Sequence, residues 1–123
     1  MGRPVGWILD DVSRKTLLAK FPPRYAEIVA HHVTLWSRKF GKPVPARATF
    51  EVVGHADDGR GIEALVVAVN GTTDRPDGST YHVTWSIDPQ SGQKPKHSND
   101  LIAEAGWTSL DSAIPFTAEP DFL

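Results

Sequence analysis

The chain has 123 residues, of which 40% are apolar and 23% are charged, and its formal net charge at pH 7 is −2. This length is typical of one domain that buries its own core. Because the chain contains no cysteine, disulfides, thiolate metal sites and a cysteine nucleophile are excluded. Apolar runs are far shorter than the roughly 18 residues that a membrane-spanning helix needs. Since the first residues also lack the apolar core of a signal peptide, we expect a soluble, cytoplasmic protein without a membrane partner.

Basic residues are concentrated in one part of the chain. Between residues 14 and 47 the only acidic residue is Glu27, and eight residues are basic: Arg14, Lys15, Lys20, Arg24, Arg38, Lys39, Lys42 and Arg47. The rest of the chain is therefore strongly acidic. A segment of this kind either faces an anionic ligand or forms a solvated basic surface, and the sequence leaves both interpretations open.

The first third of the chain predicts a strand, a helix and a second strand. Residues 6–9 form a short apolar run, and Asp10 and Asp11 can cap a helix over residues 12–20. The prolines at 22 and 23 must end this helix. Residues 28–36 are rich in β-branched side chains and precede a Gly-Lys-Pro turn, which indicates one continuous strand.

The remaining chain predicts mostly strands. A polar, glycine-containing loop separates residues 47–55 from residues 62–70, which indicates a hairpin. Its second strand is apolar for six residues and should lie centrally in the sheet. Further elements are predicted as a strand at 80–87, a helix at 99–105 capped by Ser98 and ended by Gly106, and an extended segment at 112–117.

Strands outnumber helices, and the links between strands are too short for helical crossovers. The pattern therefore predicts an α+β fold with mainly antiparallel sheets and a few short helices. No repeat or linker divides the sequence, so we expect a single domain over residues 1–117. Residues 118–123 are predicted to form a flexible tail. The oligomeric state is not specified by any of these patterns.

Two of the predicted strands carry the same four-residue pattern of histidine, aliphatic residue, threonine and apolar residue. The two copies, called the tetrads below, are residues 32–35 and residues 82–85. Because side chains alternate between the two faces of a strand, His32 and Thr34 should share one face. The same alternation places His82 and Thr84 together. Each strand would use its other face for the core and present an imidazole and a hydroxyl.

Two imidazoles facing one cleft would provide acid and base catalysis. Imidazole is the side chain that gains and loses a proton near neutral pH. One ring would remove a proton from a nucleophile while the other gives a proton to a leaving group. Threonine hydroxyls can donate hydrogen bonds to the nonbridging oxygens of a phosphate. The combination therefore favours cleavage of a phosphodiester without a metal ion.

The paired His-x-Thr-x tetrads resemble the signature of the 2H phosphoesterase superfamily, which includes cyclic phosphodiesterases and RNA 2′,5′ ligase-like proteins. The resemblance implies a compact bilobed α+β fold with pseudo-twofold symmetry and both tetrads facing a central cleft. It implies that His32 and His82 are the catalytic acid and base and that Thr34 and Thr84 bind phosphate. RNA ends or nucleotides with a 2′,3′-cyclic phosphate are the implied substrates, with no cofactor or metal. The tetrads are only 50 residues apart, which is compact for this superfamily.

Five further residues are candidates for substrate binding. Arg38 and Lys39 follow the first tetrad, where they would meet a phosphate or base or lie exposed as ordinary surface cations. Tyr81 borders the second tetrad and has the ring needed to stack on a base. Lys96 and Ser98 lie at the predicted start of a helix, a position that favours anions, although capping alone explains a serine there.

Three other residues are assigned structural roles. His31 should point to the face opposite His32 and act as a structural imidazole. His55 should lie on the surface beside a loop. Trp36 is expected to pack in the core, with base stacking as the alternative.

Two other functions are compatible with the sequence. One is a metal site in which His32 and His82 bind the ion together with His31 or His97. The sequence lacks the spacings that are typical of histidine metal sites. The other is a noncatalytic module that uses the same cleft to bind RNA ends or nucleotides.

Overall fold

The computed structural model describes residues 2–123, which form two antiparallel sheets and two short α-helices. The predicted α+β class is therefore confirmed. The strands are β1 (Val5–Leu9), β2 (Glu27–Ile28), β3 (His32–Trp36), β4 (Phe50–Asp57), β5 (Ile62–Val69), β6 (His82–Ile87), β7 (Thr108–Phe116) and β8 (Ala118–Phe122). The helices are α1 (Asp11–Lys20) and α2 (Ser98–Ala105).

The strands divide into a small and a large sheet. The small sheet has the order β3-β1-β8 and the large sheet has the order β2-β6-β5-β4-β7. The prediction that residues 62–70 lie centrally is confirmed, because β5 is the middle strand of the large sheet and all of its residues are buried. The predicted hairpin is also present, with Asp57 opposite Glu63 at its closed end.

The main core lies where the small sheet and α1 pack against one face of the large sheet. Val33 from the small sheet, Leu17 from α1 and Trp85 from the large sheet all contribute to this cluster, and each is at most 1% exposed. Burying a side chain of this size stabilises the fold by about 1.5 to 3 kcal/mol. The Trp85 indole N–H donates a hydrogen bond to the carbonyl of Phe21. Because this core includes both sheets, it holds β3 and β6 in a fixed relation.

The predicted strand over residues 28–36 is wrong in one respect, because the structure has two strands there. β2 pairs with β6 in the large sheet, whereas β3 pairs with β1 in the small sheet. The change occurs at Ala30, which is fully buried and has a φ of 43°. This left-handed conformation is uncommon for alanine, so the composition of the segment gives no sign of the break.

The predicted tail over residues 118–123 is also corrected. Ala118–Phe122 form β8, which pairs with β1 along its whole length. The backbone N–H of Leu123 donates to the carbonyl of Pro4. A proline and two acidic residues in β8 weaken its strand pattern, but at the edge of a sheet they face solvent without disrupting the ladder.

Both helices lie close to their predicted positions. Asp10 caps α1 by accepting a hydrogen bond from the Ser13 N–H, as predicted. The cap of α2 differs, because the N-cap residue is His97 and Ser98 is already the first helical residue. Gly106 ends α2 as expected. Neither helix within residues 2–123 has the length and apolarity that crossing a bilayer requires.

Candidate active site

The second tetrad lies on β6, and the first lies on β3, which follows β2, the strand that pairs with β6. β2 and β6 pair with Ile28 opposite Ser86, and the next two residues continue this pairing through hydrogen bonds to the carbonyls of Trp85 and Thr84. After the left-handed turn at Ala30, His32 begins β3, which pairs with β1 in the small sheet. The tetrads therefore lie one on each sheet, and β3 contacts β6.

Both histidines and both threonines of the tetrads line one cavity of about 240 Å³. The other lining residues are Pro4, Ser37, Arg75, Pro95, Lys96 and Asn99. At about 30 Å³ for each water, this volume corresponds to about eight water molecules. It is smaller than the roughly 300 Å³ or more that encloses a drug-sized ligand.

The orientation of the His82 ring is fixed by the backbone. Its Nδ1 atom lies 2.8 Å from the carbonyl oxygen of Thr80. Because a carbonyl can only accept, Nδ1 carries the proton and donates it. The titrating atom is then Nε2. Burial lowers the pKa of His82 and outweighs the hydrogen bond to Thr80, which raises the pKa, so Nε2 holds a free lone pair at neutral pH.

The His32 ring contacts the neighbouring His31 ring. The two Nδ1 atoms are 3.0 Å apart, which corrects the prediction that these side chains point in opposite directions. Burial lowers the pKa of His32 to about 4, and the nearby His31 and His82 contribute to the shift. When His32 is protonated, its Nδ1–H can donate to His31.

The Thr84 hydroxyl contacts the first residue of α2 and the segment just before this helix. Its hydroxyl oxygen lies 2.8 Å from the hydroxyl oxygen of Ser98 and 3.2 Å from the carbonyl oxygen of Pro95. Ser98 is fully buried and does not line the cavity, so its predicted contact with substrate is not formed. Since a hydroxyl has one proton and two acceptor positions, Thr84 can donate to a phosphate while it accepts from Ser98.

Arg75 lines the same cavity and was not found from the sequence. It precedes a Pro-Asp-Gly turn, which the sequence identifies as a loop, and arginines in loops are usually exposed. In the structure Arg75 is only 5% exposed. Turn chemistry indicates where the chain reverses, but it does not indicate which side chain the turn directs inward.

The other predicted substrate contacts divide into two groups. Lys96 lines the cavity and is exposed to solvent. Arg38 and Lys39 are exposed and line a different cavity beside Phe40. Tyr81 is 5% exposed and packs in the core near Trp7. The prediction that its ring is available to stack on a base is therefore wrong.

Trp36 is not one of the buried residues of the main core. Its ring packs against that of Phe40, with centroids 4.8 Å apart. Trp36 is half-buried, so the prediction that it packs in the core is wrong.

A second polar cluster surrounds the carboxylate of Glu63, which is 1% exposed. His55 Nε2 lies 2.7 Å from this carboxylate, so His55 is a half-buried partner and not the free surface residue that was predicted. The Ser86 hydroxyl and the Arg24 backbone N–H also donate to the carboxylate. These contacts satisfy the buried charge, which explains the cluster by stability alone.

None of the other cavities described for residues 2–123 brings two histidines together. A cavity of about 390 Å³ lies between the β4-β5 loop and α2, where His97 accepts a hydrogen bond from the Lys94 N–H. Within the described chain, no three His, Cys, Asp or Glu side chains are grouped closely enough to hold a metal ion. His97 lines that other cavity, so the alternative of a site with His32, His82 and His97 is not formed.

Comparison of the chain with family models, curated proteins and solved structures gives no match.

Proposed function

We propose that the protein is a phosphodiesterase that opens a 2′,3′-cyclic phosphate at an RNA end or on a nucleotide. The observation that supports this proposal is that both histidines and both threonines of the tetrads line one small cavity. Strand periodicity alone does not require two distant strands to face the same space. The two positively charged lining residues, Arg75 and Lys96, favour an anionic substrate.

The reaction needs one base and one acid. The base removes a proton from water, and the water oxygen forms a bond to phosphorus. The bond from phosphorus to one ribose oxygen breaks, and the acid donates a proton to that oxygen. The product is a phosphomonoester beside a free hydroxyl. One imidazole ends protonated and the other neutral, so exchange with solvent restores the starting state.

The surroundings of the two rings suggest which imidazole has which role. His82 presents an unprotonated Nε2 at neutral pH, because its Nδ1–H is held by Thr80 and burial lowers its pKa. This is the state that a general base needs. His32 must be protonated to act as the acid. The negative charge of a bound phosphate favours its imidazolium form. In that form the Nδ1–H of His32 can donate a hydrogen bond to Nδ1 of His31.

The test uses adenosine 2′,3′-cyclic phosphate and an RNA oligonucleotide that ends in a 2′,3′-cyclic phosphate, each with EDTA present. We expect ring opening, which the substitutions His32→Gln and His82→Asn each reduce by about 100-fold or more in kcat/KM. An asparagine at 82 retains an N–H that can donate to Thr80 but lacks Nε2. His97→Asn is the matched control, since its side-chain oxygen can still accept from the Lys94 N–H.

Three results would contradict the proposal. These are full turnover in His82→Asn, loss of activity on adding EDTA, and a pH profile that is flat from about pH 5 to 9, since two titrating groups should give a bell. Binding of the RNA end by the native protein without any turnover would instead support the noncatalytic module.

A further inference from the structure

Arg75 is a buried cation whose hydrogen bonds are incomplete. Its Nη2 atom lies 3.0 Å from a carboxylate oxygen of Asp77. Its Nε atom is buried and has no hydrogen-bond partner within residues 2–123. A guanidinium remains charged at all ordinary pH values and has five N–H donors. Leaving such a donor buried without an acceptor is costly, so the ion pair with Asp77 does not satisfy every donor of this buried cation.

The backbone around Arg75 is rigid. The Arg75 N–H donates to the carbonyl of Ser79, and the Gly78 N–H donates to the carbonyl of Arg75. The Asp77 carboxylate accepts from both the backbone and the hydroxyl of Ser79. The loop also supplies the Thr80 carbonyl that orients His82. One loop therefore positions both a cation and a proposed catalytic imidazole.

The charges around the cavity favour an anion. No carboxylate is among its lining residues within the described part of the chain, whereas Arg75 and Lys96 line it. The pKa values of His32 and His82 are lowered mainly by burial, so both rings are neutral at pH 7. Asp77 pairs with Arg75 but does not line the cavity. Arg75 is the buried charge that remains to attract a ligand.

We infer that the Arg75 guanidinium binds a nonbridging oxygen of a phosphate in the cavity between the tetrads, which Arg75 lines. Guanidinium groups bind phosphate oxygens through two parallel hydrogen bonds. The inference rests on the proposed function only in naming the phosphate as that of the substrate, because an inorganic phosphate would satisfy the same donors. Asp77 has the role of a positioning residue that orients the guanidinium.

The experiment titrates the protein with inorganic phosphate and follows binding by NMR. In the native protein we expect the Arg75 Nε–H signal to shift as phosphate binds, because an anion bound to the guanidinium changes the electronic environment of this proton. Its disappearance from the spectrum of Arg75→Lys assigns the signal. We expect Arg75→Gln to weaken phosphate binding at least tenfold. The matched control is Arg60→Gln, which removes an exposed cation that lines a different cavity and should leave the affinity unchanged.

The inference is overturned if phosphate binds without moving the Arg75 Nε–H signal, if Arg75→Gln binds as tightly as the native protein, or if no phosphate binds. The native titration decides the question even if Arg75→Gln fails to fold. In a variant with both His32→Gln and His82→Asn, phosphate binding can be measured without the two proposed catalytic imidazoles, which separates the anion site from the proposed reaction. Phosphate binding that depends on Arg75, without turnover in the native protein, would refute the phosphodiesterase and retain the anion site. Normal turnover in Arg75→Gln would refute the role of Arg75 in binding the substrate phosphate and retain the phosphodiesterase.

Discussion

The hydroxyl pair of Thr84 and Ser98 shows how a residue outside the cavity controls one inside it. Thr84 Oγ1 has two neighbours besides any ligand, the Ser98 hydroxyl and the Pro95 carbonyl. If Ser98 donates to Thr84, the single Thr84 proton is free to turn from Pro95 toward a phosphate oxygen. Under the proposed function Ser98 is a positioning residue, whereas its sequence position predicts a helix cap.

We expect Ser98→Ala to lower kcat/KM for the cyclic phosphate by about tenfold, equivalent to about 1.4 kcal/mol, because Thr84 loses the donor that orients it. The pH profile should stay unchanged, since neither imidazole is altered. Steady-state kinetics over a range of pH measure both quantities. Ser91→Ala is the control, because it likewise removes a serine hydroxyl that makes a hydrogen bond, here to the carbonyl of Asp88, but Ser91 lies away from the cavity. An equal loss in both variants would indicate general destabilisation.

At the scale of elements, the approach of β1 to β3 determines where the first tetrad lies. Gly6 pairs with Thr34, and a Cβ atom placed on Gly6 would lie 2.1 Å from the carbonyl oxygen of Val33 and 3.0 Å from the Cα atom of Thr34. Both neighbours are backbone atoms that cannot turn away. Glycine at this position therefore allows the two strands to pair beside the cavity.

We expect Gly6→Ala to lower the free energy of unfolding by about 3 kcal/mol, since the added methyl group displaces β3. The folded protein should also have reduced activity, because His32 and Thr34 move with that strand. Urea unfolding and kcat/KM test the two effects. Gly71→Ala is the control, since a Cβ there has open space and only the backbone φ of 85° resists it, at about 1 to 2 kcal/mol. Native stability in Gly6→Ala would contradict the expectation.

The elements that sequence patterns located are those whose signals are local. Alternation along β6, the continuous apolar run of β5 and the Asp10 cap each depend on neighbouring residues. The break at Ala30 depends on where two sheets diverge, and β8 is held by its pairing with β1. For the site, periodicity predicted which side chains share a face. The inward placement of Arg75 and the contact of Ser98 with Thr84 depend on tertiary packing, which no local pattern encodes.

For the whole molecule, the uneven charge of the sequence does not mark the cavity. Two cations of the basic segment form ion pairs with distant acids, Arg24 with Asp57 and Arg47 with Glu119. The two cations that line the cavity, Arg75 and Lys96, come from the acidic remainder of the chain. The positive charge at the cavity therefore does not come from the basic segment. The polarity of the site depends on two residues from a segment whose total charge has the opposite sign.

The acid sensitivity of the fold should depend on His32. Burial lowers the pKa of His32 from 6.5 to about 4. Below about pH 6.5 the unfolded chain therefore binds a proton that the folded protein does not, so stability falls as the pH decreases from about 6.5 to 4. For a shift of this size the loss is about 3 kcal/mol. His82 contributes in the same direction, since burial also lowers its pKa.

We therefore expect the free energy of unfolding to decrease less in His32→Gln than in the native protein between pH 6.5 and 4. The difference between the two decreases should be about 3 kcal/mol. Urea unfolding at half-unit pH intervals measures this difference. Carboxylates with lowered pKa values, such as Asp10 and Asp77, also lose stabilising contacts in acid, but they do so in both proteins and cancel in the comparison. Parallel curves for the two proteins would show that His32 is protonated as readily in the folded state as in the unfolded chain, and its assignment as a buried, neutral imidazole would then be wrong.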